Sequence, residues 1–152
     1  MKIIIEKETK EVVFAGDVTL TADGVKGKDF VAKNVKPDKH ELVKTGALPR
    51  DFRGRHYTYD GAWHRTATGL ESAKEAAQEQ NKQDCQNFIH EKYPAPKQRS
   101  AAMGIYDQAV IDTMADHIAR LIAEENRVFA LIKAVKTDDE FNAIESPLWE
   151  KV

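Results

Sequence analysis

From Ile105 to Lys136 the chain has neither proline nor glycine, and apolar side chains recur in alternating steps of three and four. Ile111, Met114, Ile118, Leu121, Val128, Ile132 and Val135 form the row, and Glu125 is its one polar member. Residues three and four apart share a helix face, so this is a long helix with an a/d-type seam. About thirty residues at ~1.5 Å each span roughly 45 Å, which is long for a chain of 152 residues. A seam of this kind must be covered. A second row, Val110, Ala115, Ile122 and Phe129, widens the apolar face, so the helix is expected to touch two neighbours. One is the preceding helix folded back, the other a further subunit. The seven apolar seam residues are the expected oligomer interface. Glu125 either sets register or interrupts the coil, and Asp112, Asp116, Glu124 and Asn126 read as solvated flanks.

Seven of the eight glycines fall within residues 1–70. Glycine suits turns and its absence suits long helices, so the first part reads as β and the second as α. The expectation is an α+β chain: a small antiparallel β-domain over residues 1–69, then a helical hairpin or bundle with one long helix over 70–152. Lys2–Glu6, Val12–Ala15, Lys28–Ala32 and His40–Lys44 are the strand candidates. Glu8–Glu11, Ala22-Asp23-Gly24 and Pro37-Asp38-Lys39 are the turns. Tyr57 to His64 reads as a hairpin about Asp60-Gly61, a pair that favours a two-residue type I′ turn. So few strand residues give a thin core that needs further packing.

A first helix is expected from Leu70 to about His90, ended by Tyr93-Pro94-Ala95-Pro96. The long helix then starts at Gln98 or Ile105. A third begins at Thr137, with Glu140 three residues on as its capping-box partner, and Ser146-Pro147 stops it. Leu148-Trp149 remains as an apolar tail with a docking role.

The balance of 23 basic and 25 acidic residues, net −2, argues against a globally basic binder of nucleic acid or membrane surface. No apolar run approaches the ~20 residues that span a bilayer, and no signal peptide is expected. A single cysteine, Cys85, excludes an internal disulfide and reads as an inert packing residue.

Arg50, Arg53, Arg55 and Arg65 surround Phe52, Tyr57, Tyr59 and Trp63. Trp, Tyr and Arg are enriched at protein–protein hot spots, so Arg53, Arg55, Tyr57, Tyr59 and Trp63, with Trp149, are the expected partner-binding residues. Ordinary packing, sugar binding and single-stranded nucleic acid remain alternatives. Two His-x-Thr triplets, His56-Tyr57-Thr58 and His64-Arg65-Thr66, resemble an acid–base pair, but both lie on one hairpin, so polar surface is the reading. His56, His64 and Asp60 are a conceivable metal set without evident supporting partners. No catalytic residue, metal or cofactor is expected.

The order of these elements resembles a known group. Lys2-Ile3-Ile4-Ile5 opens a β-region, and Tyr57 to Trp63 supplies a Tyr-x-Tyr-Asp-Gly-x-Trp hairpin. An Ala/Gln/Lys-rich helix leads to a Tyr-Pro-x-x-Lys-Gln turn (Tyr93, Pro94, Lys97, Gln98), and a long helix ends in Ala134 to Glu140. This layout is similar to small tail proteins encoded near the tail-fibre genes of tailed bacteriophages. The resemblance covers most of the chain, though little of its first 55 residues, and Ala95 and Pro96 stand where relatives often carry an aromatic. It implies a non-enzymatic tail component made in the host cytoplasm and located in the virion tail. Its expected partners are fibre or baseplate proteins and further copies of itself, a trimer by analogy with fibre symmetry. A fibre-assembly chaperone absent from the particle is the alternative. An inhibitor or carbohydrate-binding module using residues 56–65 is a third reading.

Overall fold

The structure, a computed structural model, describes residues 1–149. Eight strands precede four helices: β1 (Lys2–Glu6), β2 (Val12–Gly16), β3 (Thr19–Thr21), β4 (Gly24–Lys26), β5 (Val31–Ala32), β6 (His40–Lys44), β7 (Tyr57–Tyr59), β8 (Trp63–Arg65), α1 (Ala67–Lys92), α2 (Ala95–Ala102), α3 (Gln108–Ala134) and α4 (Asp138–Asn142). The arrangement is α+β, with small antiparallel sheets first and one long helix late. Two compact units divide the chain after Ala73, a few residues into α1.

The first unit is organised by β1, which lies between β2 and β6 with both neighbours antiparallel. Successive strand side chains point to opposite faces, and the unbroken run Ile3-Ile4-Ile5 is buried on both. Ile4 packs with Val18, Val25 and Val35, while Ile3 and Ile5 pack with Val12 and, around them, Val43, Leu48, Phe52, Tyr59 and Trp63. The unit therefore builds two apolar layers about one strand, which supply the further packing that a thin core needs. The β3–β4–β5 sheet supplies Leu20, Val25 and Ala32 to the Ile4 layer. The strand expected over Lys28–Ala32 is shortened to Val31–Ala32, and Thr19–Thr21 and Gly24–Lys26 pair as a further hairpin.

In the second unit α1 and α3 run antiparallel. Lys74 Nζ donates to the Val135 carbonyl (3.2 Å), Asn81 Nδ2 donates to the Glu125 carbonyl (2.9 Å), and Lys92 Nζ lies 3.4 Å from His117 Nδ1. Of the two expected starts of the long helix, Gln98 falls within the separate α2, and α3 begins at Gln108, three residues after Ile105. Gly104, at φ +71°, closes α2: its N–H donates to the Ala101 carbonyl and the Ile105 N–H donates to the Ser100 carbonyl. That pair of hydrogen bonds is a Schellman ending, which favours glycine because the residue turns left-handed. At α4 the Thr137 hydroxyl accepts from the Glu140 N–H (3.2 Å), and the Glu140 carboxylate accepts from the Lys136 N–H (2.7 Å). The capping box forms, with its return bond one residue earlier than expected.

Candidate interaction surfaces

The aromatic hairpin hangs on the edge of β2. Tyr59 N–H donates to the Lys10 carbonyl and Arg55 N–H to the Val12 carbonyl. Tyr59 pairs with Trp63 and Thr58 with His64, so the loop holds three residues, Asp60-Gly61-Ala62, and not the two of a type I′ turn. The Asp60 side chain accepts from the Ala62 N–H (3.3 Å), a local bond that competes with the tighter turn. This register sets His64 opposite Thr58 rather than His56. Among the described residues no three His, Cys, Asp or Glu side chains are grouped to hold a metal. Thr66 has a different task from the one its His-x-Thr setting suggested: its hydroxyl accepts from the Gly69 N–H (3.1 Å) and starts α1.

Tyr57, Tyr59, Trp63 and Arg65 share one face of this hairpin. The Trp63 ring lies 4.9 Å from Tyr59, 5.9 Å from Phe52 and 6.0 Å from Tyr57, the last two edge-on. Asp51 ties the cluster together. Its Oδ1 accepts from the Tyr57 hydroxyl (2.6 Å) and its Oδ2 from Arg65 Nη2 (3.1 Å), while the Arg65 guanidinium covers the Tyr57 ring at 5.6 Å. Burial raises the Asp51 pKa, but the bonds from Tyr57 and Arg65 outweigh it and hold the carboxyl below its ordinary value. Tyr57 is 4 % exposed and is part of the core. Tyr59 and Trp63 are half-buried, so each keeps an accessible edge. Arg53 is exposed, and Arg55 pairs with Glu11 at 3.2 Å. Beside Tyr59 an open groove of about 350 Å³ is lined by Ile5, Lys10, Glu41, Val43 and Asp60.

The long seam faces inward. Met114, Leu121, Val128, Ile132 and Val135 are buried by the chain's own segments, and Ile111 and Ile118 are half-buried against Tyr93, Ala101 and Met114. Within the chain these residues line a core between helices, with Ile111 and Ile118 keeping part of their surface open. The reason lies in α1, whose inward positions include Ala77, Asn81 and Cys85; small side chains there leave room for the bulky row of α3. Cys85 donates to Glu125, and burial with that carboxylate pushes the thiol up to about 11. The second row has another fate. Val110, Ala115, Ile122 and Phe129 remain exposed, Ile122 and Phe129 each at 42 %.

Glu124, read as a solvated flank, is 9 % exposed. Its carboxylate accepts from Arg127 Nε (2.8 Å) and Nη2 (2.7 Å) and from the Leu148 N–H (2.8 Å). The Arg127 bonds foremost, with the Leu148 bond, hold its pKa down to about 2 despite burial. The tail is thus docked: Trp149 stacks on Phe88 with ring centres 5.8 Å apart. The one sequence signal for Glu124 was its place one residue from the seam, with an arginine three residues on. Asp51 carried no such signal, because its partners lie on a hairpin whose register had to be known first.

Among the described residues no helix is long and apolar enough to cross a membrane. No family model, curated protein or solved structure matches this chain.

Proposed function

We propose that this chain is a non-enzymatic structural component of a bacteriophage tail, an attachment or adaptor protein at the fibre or baseplate that works through helix contacts. The motif order from Lys2 to Glu140 supports the tail assignment. The observation that carries the adaptor role is the exposed row of α3, where Ile122 and Phe129 stay open although the neighbouring seam is filled. Large apolar side chains aligned on one helix face suit a protein partner. Purified particles of the phage carrying this gene, digested and read by mass spectrometry, are expected to yield its peptides. A chain that copurifies with an immature fibre and is missing from particles is an assembly chaperone instead.

The groove beside Tyr59 favours a second reading, carbohydrate binding. An aromatic edge with Lys10, Glu41 and Asp60 around an open groove offers an apolar sugar face one wall and its hydroxyls several partners. A glycan array probed with the full chain tests it. Binding abolished by Tyr59→Ala supports it, and an empty array removes it.

A further inference from the structure

The outer face of α3 repeats the spacing of the seam. Ala115, Ala119, Ile122, Asn126, Phe129 and Lys133 follow one another at steps of four, three, four, three and four, and all six are exposed. Such a row is straight enough to meet a second helix along its length. We propose that its occupant is the same row of a second copy, with the two α3 helices antiparallel about a two-fold axis at Ile122. This rests on reading that face as a helix-contact surface and gives it a second copy as its occupant in the free protein.

The order of side chains selects both occupant and direction. The row is small at its N-terminal end (Ala115, Ala119) and large towards its C-terminal end (Phe129). An axis at Ile122 sets Phe129 of each copy over Ala115 of the other, so bulk meets space twice. A parallel pair would set phenylalanine on phenylalanine at one end and alanine on alanine at the other, which close packing disfavours. The charges agree. Asp112 flanks the row near its start and Lys133 closes it, on the same side; both are exposed. Asp112 Oδ1 accepts a bond from Gln108 on its own helix (2.7 Å). Antiparallel pairing brings each Asp112 beside the other copy's Lys133, whereas parallel pairing superposes like charges. Asn126 adds a restriction, since a polar residue in such a row disfavours burial at the centre of a larger bundle. A two-fold contact is self-complementary and closes on itself.

Light scattering of the full chain across a concentration series is expected to reach twice the 17.1 kDa chain mass. Phe129→Glu should hold it at one chain mass with an unchanged helical circular dichroism. Asp112→Lys and Lys133→Asp should each weaken association on the order of tenfold, and the two together should restore it. This pair of exposed substitutions decides the matter even if Phe129→Glu fails to fold. Direction is read by mixing Ala115→Cys chains with Phe129→Cys chains under oxidation, where the mixed disulfide should outrun either self-disulfide. A monomer at every concentration, a trimer mass, no charge-swap rescue, or faster 115–115 linkage overturns the proposal. A monomer that still captures a fibre or baseplate protein through Ile122 and Phe129 overturns the dimer alone and leaves the adaptor reading standing.

Discussion

Glu124 accepts a hydrogen bond from the backbone of Leu148, 24 residues further on, and that bond fastens the C-terminal tail to α3. Arg127 grips the same carboxylate from its other side, so three donors converge on one side chain. The tail then lies where Trp149 reaches Phe88 on α1.

Acid should release this tail. The folded pKa of Glu124 is lowered from 4.5 to about 2, so its contribution is fully present above the ordinary carboxyl value. It fades as pH falls from about 4.5 towards about 2. Trp149 fluorescence, followed with Trp63→Phe to remove the other indole, should change over that window. Glu124→Gln should show the released signal already at neutral pH. A signal flat from neutral to below pH 2 in the parent and unaltered by Glu124→Gln would contradict the docking role.

Leu121 and Ile122 are neighbours with opposite duties, Leu121 at 1 % exposure and Ile122 at 42 %. Leu121→Ala removes packed atoms from the α1–α3 core and should cost about 2–5 kcal/mol in denaturant unfolding. Ile122→Ala should cost the isolated chain about 1 kcal/mol or less. Equal losses would mean that the core is misassigned.

Gly69 lies in the first turn of α1, where helix propensity alone favours alanine by up to ~1 kcal/mol. A methyl group there would run into the carbonyl of His56. Gly69→Ala should therefore destabilise the chain by about 1–3 kcal/mol. A rise in melting temperature would show that the approach of the two backbones is looser than described.

The Asp51–Tyr57 bond should appear as a coupling. Asp51 is half exposed, so Tyr57→Phe and Asp51→Ala, made singly and together, should give an interaction energy of about 1 kcal/mol. Additive losses would deny the bond a role. Trp63→Ala should lower affinity for a partner held at the hairpin by ~2 kcal/mol or more if its open edge is a hot spot; unchanged affinity by calorimetry would leave Trp63 to packing alone.

The Cys85 thiol, held up at about 11 and 2 % exposed, should resist alkylation at pH 8 and react at once when denaturant opens the chain. Rapid labelling of the native protein would place it elsewhere.

Local chemistry made much of this molecule legible in its sequence. β1 and β6 fall on the expected spans Lys2–Glu6 and His40–Lys44 around their apolar residues, Thr137 caps its helix, and the spacing from Ile111 to Val135 marks a buried helix face. These features depend on neighbours within a few residues, so periodicity and capping rules reach them. Other features depend on segments far apart. The small residues of α1 had to meet the bulky row of α3 before that row became internal and the second row became the free one. Asp51 had to meet Tyr57 and Arg65, and Glu124 had to meet the Leu148 N–H, before either carboxylate held a place. The sequence by itself determined which faces are apolar and where helices can start and stop. The tertiary structure decided which apolar face the chain satisfies internally, because covering a face depends on what the folded chain brings against it and not on the face's own spacing.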